Sequence, residues 1–184
     1  MKKNVLRKKL WAAVLFLVKF NLLAIPMYLV LWLNLSYPPL QTFLTGLVYN
    51  NLKLMGYGVE LINSPSSSVP LISFSDQLPK IQISWDSTGW KTIYALLALT
   101  LATPYSNLKG KVRFLAIGIP ALLLLNYIRI ITTILISLNF GFQYFNIVHT
   151  LLWREGLILA VVAIWYLWLK KVKYNIGKKH SIFR

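Results

Sequence analysis

The chain returns again and again to apolar stretches close to the length of a membrane crossing, and this constrains its fold more than any other feature. A helix needs about 20 apolar residues to span the hydrocarbon core. Such stretches run from Leu10 to about Leu35, broken by Lys19 and Pro26, and over Thr88–Tyr105, Phe114–Leu138 and Leu151–Leu169. The first is too long for the apolar part of a signal peptide, and no small-x-small cleavage site follows it, so it is expected to persist as an anchor. The chain is 57% hydrophobic and only 13% charged, against about 25% charged in a typical soluble domain.

Positive charge gives the stretches a direction. Fourteen of the 20 lysines and arginines fall in three clusters: five between Lys2 and Lys9, three between Lys109 and Arg113, and six between Lys170 and Arg184. Basic clusters beside spans mark cytoplasmic ends. With four crossings all three clusters fall on one side, so both termini are expected in the cytoplasm. The net charge of +16 is then explained by topology and by contact with anionic membrane lipids, and nucleic-acid binding is not expected.

Ser36–Ser87 is left on the outer side. Residues 39–56 read as a helix, but Gln41, Asn50, Asn51 and Lys53 make it too polar for an easy span, so an interfacial or re-entrant helix is expected. Pro65, Ser66, Ser67, Ser68, Pro70 and Pro79 then break the pattern. Lys80–Trp85 alternates polar and apolar, the period of a strand, and a hairpin with 69–74 is expected. The expected fold is an all-α polytopic membrane protein with about four transmembrane helices, an interfacial or re-entrant helix and a small outer β element. It divides into a basic N-terminus and first span (1–35), the outer helix and β element (36–87), a three-span core (88–169) and a basic tail (170–184).

Few groups in this chain can do chemistry. With no cysteine there is no disulfide, no thiolate zinc site and no thiol nucleophile. The His-Glu-x-x-His pattern of zinc proteases is also missing, and neither a metal nor a cofactor is expected. An ionisable residue inside a span is costly and marks a functional candidate. Arg129 is such a residue, with Asn126 three positions earlier on the same helical face. A snorkelling anchor is the alternative role for Arg129. The run Trp85-Asp86-Ser87-Thr88-Gly89 meets the start of the second span. Its Asp, Ser and Thr are good helix caps, and a hydroxyl there also feels the positive end of the helix dipole. His149, in the outer segment Asn139–Thr150, is the histidine outside the basic tail. Ser87, Arg129 and His149 are thus each placed in the outer half of the membrane from a different part of the sequence.

Several of these motifs occur together in one protein family. Asp86-Ser-Thr-Gly89 is followed by Ala102-Thr-Pro104, Lys109-Gly-Lys-Val-Arg113, Gly118-Ile-Pro120, Asn126-Tyr-Ile-Arg-Ile130, Gly141, Phe145 and His149. In this order and spacing the chain resembles the exosortase/archaeosortase family of membrane transpeptidase-like proteases, over about 85–169, with the archaeal branch nearest. The resemblance implies cleavage of a C-terminal sorting signal on exported proteins, made of a short motif, a transmembrane helix and a basic tail. It also implies transfer of the product to a lipid or other surface acceptor. The family's catalytic set is Cys, Arg and a third residue that is His or Arg. Arg129 and His149 match the last two, while Ser87 stands where the family has its Cys. Serine needs a positioned base, a role open to His149, with Arg129 stabilising an oxyanion and Asp86 orienting either. Thr88, Gly89 and Asn126 are expected to support the site. Two functions follow: a serine-dependent processing enzyme, or a non-catalytic relative that binds such tails as a membrane scaffold. A small transporter is not favoured, since neither inverted repeats nor paired broken helices are found.

Overall fold

Beyond its basic first turns, helix α1 (Lys2–Trp32) is apolar nearly all round and exposes Leu17, Leu22, Ile25 and Leu29. A soluble helix hides one apolar stripe, whereas this pattern suits a helix in lipid. The structure, a computed structural model, describes residues 2–63, 67–74, 78–104 and 106–181. Within these residues, Leu10–Trp32 and Leu108–Phe140 are helices long and apolar enough to cross a membrane. Pro26 lies inside α1. In the turn before it, the Leu23 carbonyl accepts a 2.7 Å bond from the Tyr94 hydroxyl, which ties α1 to α3 (Trp90–Ala102).

Helix α3 has 13 residues, about 20 Å of rise, and is shorter than the expected Thr88–Tyr105. Tyr105 lies outside the described residues, as do Pro65, Ser66 and the end of the tail at 182–184. Helix α4 (Leu108–Phe140) is longer than the expected Phe114–Leu138, because the Asn107 side chain caps its start by accepting from the Gly110 amide at 2.9 Å. Gly141 ends it with φ +104°. A short 3₁₀ turn, the single turn α5 (Phe145–Ile147), a π-helical stretch over Val148–Glu155 and α6 (Gly156–Ser181) follow without a break. The expected span Leu151–Leu169 is therefore helical throughout, but in two different registers.

Helix α4 serves two cores. Its N-terminal half packs Leu115 and Leu122 with Leu96 of α3 and Val161 of α6. The helices approach closely at Gly118, where a methyl group would come within 2.9 Å of the Leu96 side chain. Its C-terminal half packs Ile130, Ile131 and Ile134 against α2 (Pro38–Leu54) and the β element.

Helix α2 packs one face against the rest of the protein. It buries Leu44, Val48 and Leu52 in this second core. Two of the four polar residues that argued against insertion are internal ties: Gln41 donates to the Ile83 carbonyl at 2.9 Å, and Asn51 donates to the Tyr127 hydroxyl at 2.8 Å, while Asn50 and Lys53 are exposed. The β element differs from expectation in its pairing. β1 (Glu60–Ile62) and β2 (Leu71–Ser73) form the antiparallel hairpin. The 80–85 segment adds a single bridge, Ile81 to Ile72. Residues 60–62 are a short run between two glycines and a proline-serine loop, so their strand character carries little periodic signal.

Candidate functional site

Ser87 sits in a 3₁₀ turn, Trp85–Thr88, held in place from several directions. The Ser87 amide donates to the Ser84 carbonyl at 3.0 Å, and the Thr88 hydroxyl donates to the Trp85 carbonyl at 2.8 Å. The Trp85 and Trp90 rings stack across the turn, with centroids 5.5 Å apart. Gly89 then takes φ +85° and acts as the N-cap of α3. None of Asp86, Ser87 or Thr88 caps that helix, contrary to expectation, because the chain reaches α3 through the left-handed Gly89. A side chain at position 89 would also come within 3.0 Å of Asn126.

Asn126 is the brace between the turn and α4. Its Nδ2 donates to the Ser87 carbonyl at 2.9 Å, and its Oδ1 accepts a long 3.4 Å bond from Arg129 Nη1. Asn126, Arg129, Thr133 and Ser137 are all buried and lie on one face of α4, at spacings of three and four residues. Ile117, Leu124 and Ile128 are exposed on other faces. A polar stripe turned inward and an apolar one turned outward is the arrangement a lipid-facing helix requires.

Arg129 Nη2 and His149 Nε2 lie 2.8 Å apart. A guanidinium can only donate, so Nε2 accepts and a neutral ring carries its proton on Nδ1. The Phe145 ring stacks on His149 at 5.6 Å and 6°. Burial, and then the neighbouring Arg129 charge, push the His149 pKa below its usual range, which favours the neutral ring that this bond needs.

Ser87, Arg129 and His149 line one narrow cleft of about 40 Å³, with Ile83, Thr133 and Phe145 among its walls. Arg129 and His149 also line a wider pocket of about 390 Å³, reached by Asp86, Lys91, Thr92 and Leu157. The pair lines both spaces. The Ser87 hydroxyl is 3.0 Å from the hydroxyl of the exposed Ser84. Asp86 is bonded to Lys91 at 2.8 Å, with its side chain largely exposed, rather than to Arg129 or His149. An exposed pair of this kind contributes about 0–1 kcal/mol.

Thr133, Ser84 and Gln82, which also lines the cleft, are members of the site that sequence reasoning did not single out. Thr133 had a usable signal, four residues beyond Arg129 on the same face. Ser84 and Gln82 had none beyond lying next to the motif. Among the described residues no group of three or more His, Cys, Asp or Glu side chains is placed to hold a metal. No protein-family model matches the chain, and no curated protein or solved structure matches it.

Proposed function

We propose that the protein is a multi-pass membrane protease or transpeptidase of the exosortase/archaeosortase type, with Ser87 as nucleophile. Its substrates are exported proteins that end in a short motif, a transmembrane helix and a basic tail. Both termini lie in the cytoplasm and the cleft opens on the outer side, where such a tail arrives by lateral diffusion. The observation that carries this is the meeting of Ser87, Arg129 and His149, from three separate segments, around one cleft.

The resting geometry suggests the order of events. The scissile carbonyl oxygen enters beside Arg129 and draws the guanidinium toward itself, which frees Nε2 of His149. The Ser87 hydroxyl leaves Ser84, gives its proton to Nε2 and bonds to the carbonyl carbon. Arg129 stabilises the oxyanion. Collapse breaks the peptide bond, and His149 returns the proton to the leaving amine of the helical tail. The acyl group on Ser87 then passes to water or to an acceptor hydroxyl or amine, deprotonated by the same Nε2.

The test is Ser87→Ala co-expressed with an exported protein bearing such a tail. Loss of processing is expected, and unchanged processing would exclude Ser87 as nucleophile. Ser87→Cys asks whether the native residue is active: if only the Cys variant cuts, the native chain is non-catalytic. One observation favours that second function, a receptor that holds tails without cutting them. The Ser87 hydroxyl bonds Ser84 and the His149 Nε2 bonds Arg129, so nucleophile and base are each otherwise engaged. Co-purification of intact, uncleaved tail proteins would support it.

A further inference from the structure

We propose that Thr133 and the main chain of Gln82 form the two walls of a seat for an extended peptide segment, one small residue of which enters the cleft beside Ser87. This deepens, and rests on, the peptide-directed function proposed above.

The first wall is Thr133. Its side chain is 3% exposed and its hydroxyl has no hydrogen-bond partner among the described residues. A threonine inside a helix commonly donates to the carbonyl one turn back. Thr132 does so with Ile128 and Ser137 does so with Thr133, both at 2.8 Å. The corresponding acceptor for Thr133, the Arg129 carbonyl, instead shares the single Thr132 hydroxyl proton with Ile128, at 3.0 Å. The Thr133 hydroxyl is left buried, unpaired and on the wall of the cleft. Buried polar groups are nearly always paired, so this one is poised for a ligand.

The second wall is the edge of the β element. Ile81 exchanges both of its main-chain bonds with Ile72, at 2.8 and 2.9 Å. In an antiparallel pair the next residue turns its N–H and C=O the opposite way. Gln82 therefore presents both groups away from the hairpin, and neither has a partner among the described residues. Its side chain is committed elsewhere, donating to the Ser67 hydroxyl at 2.6 Å. Ile81, Gln82 and Ile83 all line the cleft, and with the Gln82 side chain held by Ser67, what Gln82 offers the cleft is its main chain. The edge is also fixed, since Gln41 holds the Ile83 carbonyl.

A free main-chain donor and acceptor at a sheet edge are matched by another main chain, which is the chemistry of strand addition. The cleft of about 40 Å³ has room for roughly one or two water-sized groups, so the residue that enters is Gly, Ala, Ser or Thr. Thr133 bonds the polar atom that this residue carries in. Beyond the paired residue the peptide runs toward Ser84 and Ser87, which brings its next carbonyl to Arg129.

The experiment uses the full-length protein in lipid nanodiscs and a library of N-acetylated, C-amidated hexapeptides. Peptides retained by the native protein are expected to share a small residue at one position. Thr133→Val should weaken their binding by about 2- to 10-fold, the range for one hydrogen bond, without loss of folding stability. Thr133→Ser should restore affinity to within about twofold, because the hydroxyl rather than the shape is what binds. N-methylation of the peptide amide that pairs with Gln82 should weaken binding about as much as Thr133→Val, while N-methylation of the adjacent amides should not. Two results would overturn the proposal: no peptide retained by the native protein, or affinity untouched by both Thr133→Val and the N-methyl scan. Repeating the measurement in a Ser87→Ala background removes any dependence on cleavage. A failed nucleophile and a failed seat are then told apart.

Discussion

Replacing Asn126 with Leu should destabilise the protein while replacing Thr133 with Val should not, although both side chains are polar and buried on the same face of α4. Asn126 is 1% exposed and Thr133 3% exposed, so solvation alone would predict similar effects. The difference lies in their partners. Asn126→Leu keeps the approximate volume but removes the 2.9 Å bond to the Ser87 carbonyl. A buried carbonyl left unpaired costs about 1–3 kcal/mol, and the half-buried Ser87 carbonyl falls toward the lower end of that range. The 3.4 Å contact with Arg129 is near the limit of a hydrogen bond and adds little. Thr133→Val removes a hydroxyl that has no partner. Replacing an unsatisfied buried polar group by a methyl of similar shape should be neutral or stabilising by about 0–1 kcal/mol. Helix propensity leaves the Thr133 change untouched, because Thr and Val rank together, and at 126 it favours Leu over Asn, so it works against the predicted loss. Equilibrium unfolding in mixed micelles with rising SDS, followed by far-ultraviolet circular dichroism, reads both variants on one scale. The reasoning is refuted if Asn126→Leu stays within about 0.5 kcal/mol of the native protein, or if Thr133→Val is destabilised by more than about 1 kcal/mol.

Two further outcomes are expected. Gly89→Ala places a Cβ at φ +85° and within 3.0 Å of Asn126. The left-handed conformation alone costs about 1–2 kcal/mol, so this variant should lose processing while a conservative change at the exposed Lys171, outside the site, should not; equal activity of the two would contradict the role given to the turn. For His149 the sign follows from its lowered pKa. Where the unfolded chain binds the proton more readily than the folded one, stability rises with pH. The His149 contribution is therefore complete above about pH 6.5, the ordinary histidine value, and is lost as pH falls from there toward the folded pKa. The charged groups around it are Arg129, and Asp86 and Lys91 across the adjoining pocket. His149→Gln, which cannot take up the proton, should follow the native stability curve above about pH 6.5 and flatten below it; parallel curves at acid pH would exclude His149 as the titrating group.

Some of this was legible in the sequence because it concerns residues out of character with their neighbours. Arg129 and Asn126 are conspicuous in an apolar helix, and their shared face follows from spacing alone. Helices α1 and α4 are legible for the converse reason, since long apolar runs leave few alternatives. The role of α2 was not legible, because Gln41 and Asn51 look like obstacles to burial until their partners, Ile83 and Tyr127, are seen. Those partners are 42 and 76 residues away, and no local pattern announces such pairs. The caps expected from Asp86, Ser87 and Thr88 failed for a related reason. Their propensity is real, but Gly89 takes a conformation open to glycine and lets the turn close before the helix begins. Thr133 escaped notice because threonine is unremarkable in a membrane helix, and its significance comes from a missing bond rather than a present one.

The central claim is that Ser87 forms a covalent bond with the peptide it cuts, and intact-protein mass spectrometry tests it most directly. Full-length protein in nanodiscs would be mixed with a tail-bearing substrate, quenched in acid and digested for site assignment. An acyl adduct on Ser87 that appears before free product and decays as product accumulates is the predicted result. Product released with no adduct at any time, or an adduct that persists in Ser87→Ala, would contradict it.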